Sequence, residues 1–319
     1  MNLLHKTIPA PILGKLIPPE RERIYFENCT AVPFDAQRKS FSLRNAWWLA
    51  EASLLAYQAP AEPLDVTPLK NAGYGVEFLA TPLTQAVFIH GNTHIIVAFC
   101  GTRFEGFGGP RGLFRVEAID WRDLMTDLEI AQVEFRLAGR VHAGARQAFD
   151  ESWPAIKTRL DRLQSDRARP LWLAGHSLGA ALATLAACEC APHGLCTFGS
   201  PKVGDPTFAR NFQVPNVYRF IHFRDLVPLL PPGNIYVHVG APKYLDAAGN
   251  IADTPGSQSW RESFQASFAF EATIAKTFLR GFNPLDADKW PVISEVMADH
   301  APVYYANHLW NHAISEPIP

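Results

Sequence analysis

The stretch Leu171-Trp172-Leu173-Ala174-Gly175-His176-Ser177-Leu178-Gly179-Ala180 decides how this chain is read. A short apolar run meets Gly-His-Ser-Leu-Gly, and small residues follow over 181–188. Strand, sharp turn and helix in that order form a nucleophile elbow. The turn strains the backbone of Ser177 so that its hydroxyl stands above the sheet edge. Gly175 and Gly179 are required there, because a Cβ at either place collides with the neighbouring strand or helix. The small-residue stretch is too short to cross a bilayer and predicts a helix buried on a sheet.

Working outward, the pattern alternates. Residues 141–163 predict a helix, 170–174 a strand, 178–190 a helix, 195–198 a strand, 205–212 a short helix and 217–223 a strand. Such alternation implies an α/β fold with a largely parallel sheet covered on both faces. Upstream, 85–90 and 93–99 predict a hairpin about Gly91-Asn92. Apolar positions 43, 46, 47, 50, 54 and 57 predict a helix capped by Ser42. Residues 1–40, punctuated by Pro9, Pro11, Pro18 and Pro19, predict an irregular lead. The Gly-rich 103–119 and the helix-prone 254–298 predict insertions over the active-site face. One domain spanning 1–319 accommodates all of this.

With 319 residues, 48% of them hydrophobic, the chain has material for a large core. A net charge of −2 gives no reason to expect nucleic acid as partner. The cysteines (Cys29, Cys100, Cys188, Cys190, Cys196) are odd in number and form no disulfide framework, so buried reduced thiols are expected. Cys188-Glu189-Cys190 lacks a second pair at zinc spacing, so no metal is assigned. No uninterrupted apolar run reaches the ~18 residues of a membrane span. The proline-broken N-terminus lacks the apolar core and cleavage site of a secretory signal, so an intracellular location is expected.

A serine nucleophile needs a base, an orienting acid and donors for the developing oxyanion. On an elbow of this kind the chain order is Ser, then Asp or Glu, then His. Asp225 follows the apolar run 217–223 and is the acid; its competitor Asp205 reads as a helix cap. His300 lies in a loop after the second insertion and is the base. The competitors are His238, in a β-type run over 234–239, and His308 and His312, four apart in a helix. Leu178 N–H is one oxyanion donor, and Thr102 N–H, after the strand ending Phe99-Cys100-Gly101, is the other. His176 is expected to point away from the nucleophile and to pack or hydrogen-bond. A triad of this type calls for no metal or organic cofactor.

Taken together these motifs resemble the class 3 (fungal-type, triacylglycerol) lipase family of α/β-hydrolases. Gly-His-Ser-Leu-Gly-Ala at 175–180 is similar to that family's elbow, and Phe99-Cys100-Gly101-Thr102 to its oxyanion strand. Asp120-Trp121 with Asp127, Val141-His142-Ala143-Gly144, and Phe198-Gly199-Ser200-Pro201-Lys202-Val203-Gly204 also match. So do Asp225-Leu226-Val227-Pro228 and Asp299-His300 with Tyr304. The resemblance covers roughly 43–305. It implies an α/β-hydrolase fold, a triad of Ser177, Asp225 and His300, and oxyanion donors at Thr102 and Leu178. It also implies a lipase or carboxylesterase acting on lipid or other esters, with a lipid–water interface as a possible partner and 103–119 as a mobile lid. Phospholipase A1-type cleavage and acyl transfer are alternatives with the same triad.

Overall fold

Runs such as Ile95-Ile96-Val97-Ala98-Phe99 have no polar side to give to water, so both faces of their sheet must be covered. A computed structural model describes residues 3–10, 23–58, 64–101, 131–136, 139–231, 233–255 and 298–316. Its strands are β1 (Gly75–Ala80), β2 (Gln85–His90), β3 (Ile95–Phe99), β4 (Gln132–Glu134), β5 (Arg140–His142), β6 (Leu171–His176), β7 (Gly194–Phe198), β8 (Val217–His222), β9 (Ala241–Leu245) and β10 (Ile251–Ala252). Its helices are α1 (Leu43–Leu55), α2 (Thr67–Asn71), α3 (Ala143–Gln164), α4 (Leu178–Cys190), α5 (Pro206–Asn211) and α6 (Pro302–Ala313). The main sheet runs β1-β2-β3-β6-β7-β8-β9-β10. Strands β3, β6, β7, β8 and β9 are parallel, with antiparallel strands at either edge. Strands β4 and β5 form a separate ribbon.

Side chains on the central strands alternate between two cores, as the period of two dictates. Leu171 and Leu173 of β6 join Val97, Phe99 and Leu195 under α3 and α4. Trp172 and Ala174 join Ile96, Ala98 and Phe220 under α1 and α6. Helices therefore cover both faces, and the apolar strands are buried twice over. This is the α/β-hydrolase architecture that the sequence implies.

The hairpin of β2 and β3 forms, but its connection is 91–94 rather than two residues. Gly91 N–H donates to the His94 carbonyl, and the fully buried His94 ring packs on Phe34 at 4.5 Å. That burial takes Thr93 and His94 out of the ladder. Ser42 caps α1 by accepting from Asn45 N–H, and Asp205 caps α5 by accepting from Phe208 N–H. The β-type run 234–239 makes an isolated bridge, Gly204 to Val237, in place of a strand. Cys29, Cys100 and Cys196 are buried, and Cys188 and Cys190 partly so. The candidate lid 103–119, and the insertion 254–298 apart from its ends, lie outside the described residues.

The lead is irregular where described, yet it is core material. Tyr25, Phe26, Val32 and Phe34 are buried against α1. Residues 3–10 lie along α6, where Trp310 Nε1 donates to Leu4 O, Asn307 Nδ2 to Thr7 O and the Tyr304 hydroxyl to Pro9 O. A charge cluster pins this layer. Glu51 of α1 is fully buried and accepts from Arg23 at 2.7 and 3.3 Å, with Lys6 at 3.8 Å. Burial pushes the Glu51 carboxyl up, but the Arg23 and Lys6 charges outweigh it and hold the pKa below its ordinary value. A lowered folded pKa means that the pair's contribution is complete above the unfolded value and is lost as pH falls through the folded one. Removing Glu51 leaves Arg23 buried without a counter-charge. Glu51→Ala is expected to cost about 3–5 kcal/mol in urea unfolding at pH 7, with the difference shrinking as pH falls below about 4. An unchanged midpoint at pH 7 contradicts this.

Candidate active site

Strands β6, β7 and β8 are parallel, so the residues following them collect at one edge of the sheet. Ser177 directly follows β6, Gly199 directly follows β7, and Asp225 lies three residues past the end of β8. Ser177 joins β6 to α4 with φ +57° and ψ −130°, a conformation rarely adopted by a residue with a Cβ. Its N–H donates to Phe198 O at 3.0 Å, and its carbonyl accepts from Ala180 N–H at 3.0 Å. The two flanking glycines explain how so tight a turn closes. A Cβ on Gly175 would lie 2.2 Å from Gly179 O, and one on Gly179 would lie 2.3 Å from the Phe99 and Cys100 carbonyls. Both obstacles are backbone and cannot step aside.

Leu178 is the first residue of α4, where an N–H has no intrahelical acceptor. Thr102 lies outside the described residues. Its neighbour Gly101 is in place against the elbow: a Cβ there would sit 2.8 Å from Ser177 Cβ and 2.3 Å from the Tyr57 hydroxyl.

The structure brings His300 to Asp225. His300 Nδ1 lies 2.9 Å from each Asp225 carboxylate oxygen, and both residues are buried. The His300 ring also lies 4.5 Å, centroid to centroid, from the ring of His176, the residue before Ser177. His300 is not in a loop as the sequence led one to expect: residues 298–300 are helical, and Ala301, whose N–H donates to the Ala298 carbonyl at 3.0 Å, separates His300 from Pro302 at the start of α6. Gly199, at φ +55°, passes directly beneath the pair. A Cβ there would meet Asp225 Oδ2 at 2.7 Å and the His300 ring at 2.9 Å. The competing residues go elsewhere. Asp205 caps α5. His238 Nε2 bonds the Pro228 carbonyl, and burial drops its pKa to about 3. His312 Nε2 bonds the Gly249 carbonyl. His308 packs on His222 at 5.1 Å, and burial drops its pKa to about 4.

Three groups around this pair escaped the sequence reading of the site. The Tyr305 hydroxyl donates to Asp225 Oδ2 at 2.6 Å and accepts from His222 N–H at 3.0 Å. The family-like motif had pointed to Tyr304, whose hydroxyl bonds Pro9 instead. One helical position separates the two, and the phase of α6 makes the choice. Tyr57, at the end of the α1 segment, donates to His176 Nδ1 at 2.6 Å. His222 Nδ1 donates to the Asp299 carbonyl at 2.9 Å. His176 itself is buried and hydrogen-bonded, as its place before the serine leads one to expect. Among the described residues no three His, Cys, Asp or Glu side chains converge as a metal site needs.

This geometry is that of an α/β-hydrolase: a serine on a strained elbow, and an imidazole–carboxylate pair from later segments at the same sheet edge. The family model for class 3 lipases matches residues 114–235 of this chain. A secreted mono- and diacylglycerol lipase of Fusarium solani is 35% identical over 142 residues, covering 40% of this chain and 42% of the relative. A lipase of Caenorhabditis elegans is 33% identical over 203 residues, covering 56% and 54%. A phospholipase A1-II of rice is 32% identical over 117 residues, covering 31% and 25%. The chain thus spans about half or less of the length of these relatives. Among solved structures, a lipase from Rhizopus microsporus var. chinensis superposes with TM-score 0.52 at 21% identity, over 66% of this chain and 75% of that one. The Lip2 lipase of Yarrowia lipolytica gives 0.52 at 19%, over 66% and 82%. These two likenesses bear on the fold.

Asp225 is a buried carboxylate that also accepts from Val227 N–H at 3.0 Å. Hydrogen bonds to charged groups typically contribute about 1.5–3 kcal/mol. Tyr305→Phe is therefore expected to lower the free energy of unfolding by about that amount, read from the urea midpoint; a midpoint equal to that of the parent contradicts the bond.

Proposed function

We propose that the protein hydrolyses carboxylic esters of lipids, acylglycerols foremost, through an acyl-enzyme on Ser177. The observation that carries this reading is the buried His300–Asp225 pair, 2.9 Å apart, beside the strained serine elbow. The names of the relatives support the substrate class, since they include a mono- and diacylglycerol lipase.

In this reading His300 Nδ1–H donates to Asp225, which fixes the tautomer and leaves Nε2 as the base. His300 takes the proton of Ser177 as its Oγ attacks the ester carbonyl. The N–H groups of Leu178 and Thr102 receive the oxyanion of the tetrahedral intermediate. The C–O bond to the alcohol breaks, and His300 returns the proton to the departing oxygen. Water then attacks the acyl carbonyl with His300 again as base; the acyl C–Oγ bond breaks, His300 returns the proton to Ser177 Oγ, and the carboxylic acid leaves. Asp225 stabilises the imidazolium at both stages and is not itself protonated.

The strained turn assists because it fixes Oγ before substrate arrives, so little reorganisation is left for the reaction itself. The same chemistry serves a phospholipid acyl ester, and the match to a rice phospholipase A1 favours testing that substrate beside acylglycerols. Among the described residues no helix is long and apolar enough to cross a membrane.

The test is hydrolysis of p-nitrophenyl esters of increasing chain length, with tributyrin and a phosphatidylcholine alongside. Ser177→Ala is expected to lower kcat by at least about 1,000-fold while leaving the melting temperature no lower than in the parent. Substantial hydrolysis by the alanine variant, or none by the parent on any of these esters, contradicts the proposal.

A further inference from the structure

A catalytic imidazole is placed only as well as the backbone beneath it. Two buried histidines hold the backbone of His300. The Asp299 carbonyl accepts from His222 Nδ1 at 2.9 Å, and the His300 carbonyl accepts from His176 Nε2 at 2.6 Å. A carbonyl can only accept, so each imidazole carries its proton on the nitrogen that faces it. His176 therefore has its lone pair on Nδ1, and Tyr57 O–H donates there at 2.6 Å. His222 Nε2 is left bare and finds no hydrogen-bond partner among the described residues.

The two carbonyls belong to consecutive peptide planes. One plane precedes the His300 Cα and the other follows it. Peptide planes are rigid, so gripping both fixes φ and ψ of His300 together, and with them the direction of its Cα–Cβ bond. The grip comes from the sheet, since His176 and His222 are the last residues of β6 and β8. Arg224 adds a tether on one side, with Nε 2.9 Å from Asp299 Oδ2. Burial lowers the pKa of His176 well below its ordinary value, and burial lowers that of His222 as well. Both therefore stay neutral, single-proton donors near pH 7.

We propose that His176 and His222 are a matched pair of positioning residues that clamp the two peptide planes flanking His300 and so aim its imidazole. The proposal rests on the reading of His300 as the general base. Side chains that merely filled space here would not depend on which atom carries the proton. The clamp does depend on it, because His222 donates from its δ nitrogen and His176 from its ε nitrogen.

Amides separate the two roles. Asn offers an N–H at the δ position and Gln offers one at the ε position. Four single variants decide: His222→Asn, His222→Gln, His176→Gln and His176→Asn, each assayed on p-nitrophenyl butyrate with a melting curve. The clamp predicts reciprocal rescue. His222→Asn and His176→Gln keep kcat within about threefold of the parent, whereas His222→Gln and His176→Asn lose about 10–100-fold in kcat with KM within about twofold. A second readout needs no turnover. The hydrogen-bonded Nδ1 proton of His300, identified by its loss in His300→Gln, should persist in the two rescuing variants and broaden or vanish in the other two. Equal behaviour of Asn and Gln at each position overturns the clamp, as does failure of the two rescuing amides to fold, or a kcat that merely follows melting temperature. If the parent hydrolyses no ester but the proton resonance shows the reciprocal pattern, the clamp stands and the hydrolase reading falls.

Discussion

A positive φ at Ser177 is the constraint on which the rest of the structure turns. Such a conformation costs about 1–3 kcal/mol and persists only where its surroundings leave no alternative. Here the surroundings are backbone. Gly175 lies against Gly179, and Gly179 lies against the last carbonyls of the β3 segment, so β3, β6 and α4 meet with no side chain between them. Relaxing the turn would push α4 off the sheet and open the core beneath it, where Leu182, Ala183 and Ala186 are fully buried. The packing of a whole layer thus maintains the strain at one residue.

The second element of the site depends on a different layer. His300 precedes α6, which packs on α1 through Trp47 and Trp310 at 4.7 Å and is flanked by residues 3–10. Tyr57, just past α1, reaches His176, and His176 reaches the backbone of His300. Ser177 is therefore set by α4 on one face of the sheet and the His300 imidazole by α1 and α6 on the other. The sheet edge is the shared reference that brings them to a common place.

The legible parts of this chain were those written in local pattern. The elbow, the alternation of helices and strands, the Ser42 and Asp205 caps and the placing of Asp225 after a strand all follow from short-range chemistry. Strands β1, β4, β5, β9 and β10 leave no clear mark in the local pattern. Residues 75–80 alternate only weakly, and β9 begins Ala241-Pro242-Lys243, which does not read as a strand. The turn at 91–94 was misread because the burial of His94 is decided by Phe34, far along the chain. Tyr57, His222 and Tyr305 lay beyond reach for the same reason. Each acts through a partner dozens of residues away, and one step of helical phase separates Tyr305 from Tyr304. The lead shows the converse: its prolines correctly suggest irregular backbone, yet irregular backbone does not mean peripheral packing.

In the proposed reaction Ser177 is a nucleophile activated by His300. A fluorophosphonate reports this directly, since it reacts far faster with a serine activated by a nearby base than with an ordinary one. The expected result is a single phosphonyl adduct, located by mass spectrometry on the peptide containing Ser177, forming rapidly in the parent and at least about 100-fold more slowly in His300→Ala. An intact, folded parent that takes up no label, or a label on Ser177 that forms equally fast without the imidazole, would contradict it.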